Sequence, residues 1–174
     1  MSIRISAVVG ARPNFMKIAP ILEEIGRRPA FSARLIHTGQ HYSADMSASF
    51  FRDLGIPEPD INLESGGGTQ TSQTASIMLR LEDEFTAHRP DLLVVVGDVN
   101  STMAATLVAA KLGIRIAHVE AGLRSFDRTT PEEIVAGHRS DSSPNKWADE
   151  RIRSLVSKKL RRAIAPSYRL QPLR

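Results

Sequence analysis

The chain has 174 residues, the length of a single domain, and its 41% hydrophobic content is enough for a buried core. It contains no cysteine, which excludes a disulfide framework, a thiolate nucleophile and a cysteine-based metal site. No apolar run reaches the roughly 18 residues of a membrane span, and the first residues lack the pattern of a signal peptide. We therefore expect a cytoplasmic protein without membrane contact.

The formal net charge of +4 is unevenly distributed along the chain. Residues 1–134 contain 13 Lys and Arg against 16 Asp and Glu, whereas residues 135–174 contain 10 against 3. The excess basic charge belongs to the C-terminal segment, so it is no evidence that the main body binds nucleic acid. We expect no nucleic-acid partner. The alternative, a basic arm for nucleic acid or anionic lipid, lacks the regularly interleaved aromatic residues that such an arm would favour.

The first part of the chain alternates between predicted strands and helices. Residues 3–9 form a short apolar run rich in β-branched residues, which is typical of a buried strand. After the turn GARPN, apolar residues at helical spacing predict a helix from Pro13 to about Arg27. The next predicted elements are, in chain order, a strand over 33–39, a helix over 43–55 and a short strand over 60–63.

The alternation continues to about residue 122. Thr71 or Ser72 is expected to cap a long helix that ends near His88. Residues 91–98 form the clearest strand, apolar on both faces like a central parallel strand. An Ala-rich helix over 101–113 and a strand over 115–122 follow. The order of elements predicts an α/β fold with a doubly wound parallel sheet, Rossmann-like in type.

Several polar residues follow the predicted strands, and ligands of such sheets bind beyond the carboxyl ends of the strands. Arg12 follows the first strand at a helix start that suits an anion. The others are, in chain order, Gln40 and His41 after the second strand, Asp98 after the fourth and Glu120 at the fifth. Together they predict a cleft with at least two carboxylates and basic side chains, which suits proton transfer on an anionic substrate.

Simpler interpretations of these residues remain open. Asp98 could be part of the N-cap region of the next helix and nothing more, with Asn100 or Ser101 as the cap. Glu120 could be a structural carboxylate paired with Lys or Arg. His41 could be a surface turn residue, and for His118 a satisfied core histidine is the favoured interpretation. Neither GARPN nor ESGGGTQ matches a dinucleotide-binding or P-loop motif.

Three segments, taken together, carry a resemblance to a known family: GARPNFMKIAP, TGQHY and VVVGDVNSTMAATLVAAKLGIRIAHVEAGLRSFDRTTPEEI. Over residues 3–134 the chain resembles the N-terminal domain of the non-hydrolysing UDP-N-acetylglucosamine 2-epimerases. The resemblance implies one half of a two-domain GT-B fold. It also implies an isomerase of cell surface polysaccharide biosynthesis, which interconverts UDP-N-acetylglucosamine and UDP-N-acetylmannosamine by elimination and re-addition of UDP.

The resemblance also implies roles for individual residues. Asp98, Glu120 and Glu132 match the catalytic carboxylates of the family. The positions that match its substrate-binding residues are Arg12, Lys17, Gln40 and His41. The resemblance implies a UDP-sugar substrate, a homodimer, and neither a metal nor another cofactor.

The pattern of the family is interrupted after Glu133. The family continues with an Asn-Arg pair and a helix, whereas this chain continues with IVAGHR. We therefore expect an epimerase-like domain over 1–134 and a divergent basic tail over 135–174, with the C-terminal domain of the family absent. One hypothesis is that the tail is translated from a shifted reading frame or from a rearranged gene; a natural short variant is the alternative.

This interruption leaves three interpretations of function. We expect the chain alone to lack detectable epimerase activity, because family members are about twice as long. The chain could instead be a non-catalytic remnant. It could also be another GT-B sugar-nucleotide enzyme, although the three carboxylates count against that.

Overall fold

The computed structural model describes residues 2–40 and 55–120. The expected helix over 43–55, the candidate residues His41 and Glu132, and the proposed boundary at 134 lie outside the described residues. In the described part, helices are α1 (Arg12–Gly26), α2 (Gln70–Ala87) and α3 (Asn100–Lys111). The strands are β1 (Ile3–Val9), β2 (Phe31–His37), β3 (Ile61–Asn62), β4 (Leu92–Val96) and β5 (Arg115–Val119).

The five strands form one parallel sheet in the order β3-β2-β1-β4-β5. The chain runs outward from β1 in one direction and then returns to add β4 and β5 on its other side. Val9 pairs with His37, and Val96 pairs with Val119. The carboxyl ends of the four longer strands are therefore level, and the residues that follow them lie along one edge.

Helices cover both faces of the sheet. On one face, Phe15, Ile18 and Leu22 of α1 pack on side chains from alternate positions of β1 and β4. On the other face, α2 and α3 pack on the remaining positions, with Phe85 fully buried. β4 has the uninterrupted apolar sequence LLVVV because the strand is buried on both faces. The predicted doubly wound α/β fold is confirmed.

Some predicted boundaries were wrong, and each error has a local cause. α2 begins two or three residues earlier than expected, because Thr69 is the cap in place of Thr71 or Ser72: its hydroxyl accepts the N–H of Ser72 at 3.2 Å. Neither Asn100 nor Ser101 caps α3; Val99 occupies that position without a side-chain bond, and both polar residues lie in the first turn. Within residues 2–40 and 55–120, no helix is long and apolar enough to cross a membrane.

Candidate functional site

Four residues follow the level ends of the strands and define the candidate site: Gly10, Thr38, Gly97 and Glu120. The N-terminal turns of α1 and α3 start from the same edge. Because helix N-termini favour negative charge, this edge suits an anionic ligand.

Asn14 joins two of these strand ends. Its side-chain oxygen accepts the N–H groups of Gly10 and Ala11 at 3.2 and 3.1 Å, and its amide nitrogen donates to the Val96 carbonyl at 2.8 Å. The side chain is buried, with 2% of the residue exposed. Asn14 therefore fixes the start of α1 against the end of β4.

Glu120 and Lys17 form the charged contact of the site. The Lys17 ammonium donates to Oε2 of Glu120, with 34% and 17% of the two side chains exposed. Glu120 also has a left-handed backbone, with φ of 69°. A left-handed conformation is uncommon for a residue other than glycine and is concentrated at functional sites. The pairing of Glu120 with a lysine, which the sequence left open as an alternative, is therefore observed. The pair lies at the edge of the sheet where the ligand site was predicted.

Gly97 and His118 support the neighbouring turn. Gly97 has φ of 71°, and a Cβ there would lie 3.2 Å from Nδ2 of Asn14 and 3.9 Å from the Lys17 ammonium. Its carbonyl accepts a hydrogen bond from Nε2 of His118 at 2.7 Å, and its N–H donates to the Val119 carbonyl. His118 is half-buried and hydrogen-bonded, in agreement with the favoured interpretation of a satisfied histidine.

Gln40 is buried and turned toward α3. Its side-chain oxygen accepts the Ser101 N–H at 3.1 Å and the Ser101 hydroxyl at 2.6 Å. Its backbone carbonyl accepts a hydrogen bond from the Gln73 side chain at 3.1 Å. The polar atoms of Gln40 that make these bonds thus connect the β2 end to α2 and α3.

Two further predicted site residues, Asp98 and Arg12, are exposed at this edge. Asp98 follows Gly97 and is exposed, and Arg12 is the exposed first residue of α1. The structure therefore brings Lys17 and Glu120 into contact, while Arg12 and Asp98 lie at the same edge with side chains open to solvent. His41 and Glu132 lie outside the described residues.

His37 is a residue of this edge that the sequence analysis missed. It is the last residue of β2, with 2% exposed, and its ring stacks on Phe15 with centroids 5.4 Å apart. Its Nδ1 lies 3.1 Å from the Gly39 nitrogen and 3.3 Å from Oδ1 of Asn62, so it accepts from Gly39 in one tautomer and donates to Asn62 in the other. Burial lowers the pKa of the imidazole, and the contact with Asn62 opposes this effect. The available signal was its position, at the end of an apolar strand and directly before Thr-Gly.

Comparison with known proteins places the chain in a family. A sequence model of the family described as UDP-N-acetylglucosamine 2-epimerase matches residues 23–168. The chain belongs to the UDP-N-acetylglucosamine 2-epimerase family. A UDP-N-acetylglucosamine 2-epimerase homolog of Methanococcus maripaludis is 50% identical over 156 residues, which cover 87% of this chain and 43% of the relative.

Two further proteins similar to this epimerase-family chain are named for different sugars. The UDP-2,3-diacetamido-2,3-dideoxy-D-glucuronate 2-epimerase of Pseudomonas aeruginosa is 44% identical over 131 residues, covering 75% of this chain and 37% of the relative. The Methanocaldococcus jannaschii UDP-GlcNAc 2-epimerase, solved with UDP-GlcNAc and UDP, superposes with a TM-score of 0.72 at 44% identity. That superposition covers 76% of this chain and 36% of the solved one.

The extent of the matches differs at the C-terminal side. This epimerase-family chain spans about two fifths of the length of the curated relatives it matches. The family match runs to residue 168, past the limit of 134 that the sequence pattern led us to expect. Other alignments are shorter and cover 75% of the chain.

Proposed function

We propose that the chain contributes one wall of the catalytic cleft of a non-hydrolysing epimerase acting on a UDP-linked 2-acetamido sugar. The observation that carries the proposal is Glu120, a carboxylate with a left-handed backbone that is paired with Lys17 at the ligand edge of the sheet. Epimerisation at C2 requires a base held against a weakly acidic proton, and a fixed carboxylate supplies one. A strained residue at a ligand edge supports a functional rather than a structural role.

The proposed reaction has two balanced halves. A carboxylate removes the C2 proton, the C1–O bond breaks, and UDP departs with the electron pair of that bond, leaving a 2-acetamidoglucal. The reverse steps return UDP to C1 and a proton to the opposite face of C2. We assign the carboxylate roles to Asp98, Glu120 and Glu132.

Charge develops on the departing diphosphate, so fixed cations and helix N-termini stabilise that step. We assign this role to Arg12, which is the first residue of α1, and to His41. Lys17 holds the Glu120 carboxylate, and its ammonium has three N–H donors, so it can contact the diphosphate as well. We assign Gln40 to the substrate-binding group, and no metal or redox cofactor takes part in these steps.

Two candidate substrates differ in the sugar that is linked to UDP. UDP-N-acetylglucosamine is the substrate named for most of the relatives, whereas the Pseudomonas aeruginosa relative is named for a diacetamido glucuronate. Both kinds of relative match at 44% identity over 131 residues. We favour UDP-N-acetylglucosamine, because the M. maripaludis homolog named for it is 50% identical.

We also propose a cytoplasmic homodimer that binds neither nucleic acid nor membrane. The support is the family membership, together with the net negative balance of residues 1–134. Sedimentation equilibrium of the purified chain tests the dimer; a monomer at all concentrations up to about 100 times the assay concentration would contradict it.

A ligand titration tests the proposed function. Purified chain is titrated with UDP-N-acetylglucosamine and, separately, with the diacetamido glucuronate, with binding followed by NMR line broadening. We expect UDP-N-acetylglucosamine to bind with a Kd of about a millimolar, because this chain supplies part of the cleft. Lys17→Met should weaken binding about tenfold.

A matched control removes an ion pair at the opposite edge of the sheet. Arg4 and Asp91 pair at 3.1 Å there, so Arg4→Met should leave the Kd unchanged. Equal Kd values for the wild type and Lys17→Met, or no binding of either sugar, would contradict the proposal. In the same samples we expect no conversion to UDP-N-acetylmannosamine by the chain alone.

A further inference from the structure

Three polar side chains are buried together where the end of β2 meets the first turn of α3. Thr38, Ser101 and Gln40 are 0%, 1% and 8% exposed. The Thr38 and Ser101 hydroxyl oxygens are 2.7 Å apart, and the Ser101 hydroxyl is 2.6 Å from the side-chain oxygen of Gln40. Buried polar groups are stable only when their hydrogen bonds are complete, so the direction of each bond matters.

The donors and acceptors allow one arrangement. The Ser101 N–H must donate to the Gln40 oxygen, and the Ser101 hydroxyl proton must donate to the same oxygen, because a carbonyl oxygen only accepts. Since a serine has one hydroxyl proton, Thr38 must donate its own to the Ser101 oxygen. The Thr38 oxygen in turn accepts the Gln40 N–H at 3.3 Å. The result is a directed ring that begins and ends on Gln40.

The ring also caps α3. The cap residue Val99 has no side chain that can accept a helix N–H, and the Gln40 oxygen accepts the N–H of Ser101 instead. A distant loop therefore supplies what an N-cap side chain normally supplies. Gly10 makes room for the ring, because a Cβ there would lie 1.9 Å from the Ser101 oxygen and 2.5 Å from the Thr38 oxygen.

We propose that Thr38 and Ser101 are positioning residues, whose hydroxyl ring holds Gln40 in place for the UDP-sugar. Neither hydroxyl contacts the ligand in this scheme; both act through Gln40. The role toward the ligand rests on the proposed function, whereas the fixing of Gln40 does not. The test therefore has two separate readouts.

The first readout is amide hydrogen exchange, measured by NMR on the full chain. The amides of Gln40 and Ser101 are compared with that of Val94, in the buried strand β4, in the same sample. Thr38→Val and Ser101→Ala should speed exchange at Gln40 about tenfold relative to Val94, because each variant breaks the ring. Thr38→Ser, which keeps the hydroxyl, should restore protection to within about twofold of the wild type.

Thr106→Val is the matched control. The Thr106 hydroxyl donates to the Thr102 carbonyl at 2.7 Å within α3, outside the ring, so this variant should leave exchange at Gln40 unchanged. Unchanged exchange at Gln40 in Thr38→Val would overturn the ring. If Ser101→Ala fails to fold, the pair Thr38→Val and Thr38→Ser decides the matter.

The second readout is the Kd for UDP-N-acetylglucosamine. Thr38→Val should weaken binding about fivefold and Thr38→Ser should restore it, which a general loss of stability would not do. Faster exchange at Gln40 with an unchanged Kd would overturn the role toward the ligand. A wild-type chain that binds no UDP-sugar contradicts the proposed function. The exchange data then still test whether the hydroxyl ring fixes Gln40.

Discussion

Glu120 combines backbone strain with a charged contact, and two substitutions separate the two effects. Glu120→Gln removes the charge that pairs with Lys17 but keeps the left-handed backbone, whereas Glu120→Gly removes both the charge and the strain. We expect the glycine variant to be about 1 kcal/mol more stable than the glutamine variant, measured by urea unfolding. Both variants remove the carboxylate that we assign to catalysis.

Glu64 provides the matched control for this comparison. It also has a positive φ, 49°, and it is exposed. The glycine and glutamine variants at position 64 should differ by a similar amount while leaving the Kd for UDP-N-acetylglucosamine unaffected. A glutamine variant at position 120 that is as stable as the glycine variant would show that the backbone there stores no strain.

His37 makes the stability of the domain depend on pH. Burial lowers the pKa of its imidazole below the ordinary 6.5, so the folded state favours the neutral ring. Below pH 6.5 the unfolded chain binds a proton that the folded chain resists, and stability is lost as the pH falls from there through the lowered pKa. We expect the contribution of His37 to be complete above 6.5, with a slope below it of at most about 1.4 kcal/mol per pH unit.

Urea unfolding between pH 5 and 8 measures this slope, and His37→Leu should reduce it. The Arg4–Asp91 pair does not interfere, because hydrogen bonds from Arg4 hold the pKa of Asp91 below its usual 3.8. The contribution of that carboxylate is complete above 3.8 and is lost only at lower pH. An identical slope in the wild type and His37→Leu would exclude His37 as the source.

At the scale of elements, the turn between β1 and α1 has no room for a side chain. Gly10→Ala would place a carbon 1.9 Å from the Ser101 hydroxyl oxygen and 2.5 Å from that of Thr38, both buried. We expect a loss of about 1–3 kcal/mol in the free energy of unfolding, since overpacked interiors are strained. Gly26→Ala is the control, because at the end of α1 an added carbon meets nothing within 4 Å.

Calorimetry or urea unfolding distinguishes the two glycine variants. Gly26→Ala should be neutral or stabilising by up to about 1 kcal/mol, because alanine favours helices. Equal stabilities of the two variants would mean that α3 moves away from β1 without cost. The ring of hydroxyls around Ser101 would then be less rigid than its hydrogen bonds indicate.

Periodicity predicted these elements well where burial is simple. β4 is apolar on both faces and α1 has apolar residues at helical spacing, and both were located from the sequence. The caps were predicted less well, since the acceptor for the α3 terminus comes from Gln40, 61 residues away in sequence. The burial of His37 was missed for the same reason: its partners Phe15 and Asn62 are brought to it by the sheet.

At the scale of the molecule, strand order accounts for the candidate site. Lys17 and Glu120 are 103 residues apart, and no local pattern pairs them. The parallel alternation nevertheless predicts that Glu120 and the start of α1 share one edge, because β1 and β5 both flank β4. The edge and most of its residues were therefore predictable, while the partner of each side chain was not.

The segment after Glu133 carries two conflicting signals, which the coding DNA can separate. Charge balance and periodicity change there, and alignments with two epimerases cover 75% of the chain, whereas the family match continues to residue 168. If the reading frame is shifted, another frame after codon 134 should encode an Asn-Arg pair, a helix and a second α/β domain. We expect another frame to encode these features, because the charge balance changes abruptly. Residues 135–174 contain 10 basic and 3 acidic residues, whereas residues 1–134 contain 13 basic and 16 acidic residues. If no other frame restores the pair, the shifted-frame hypothesis is abandoned.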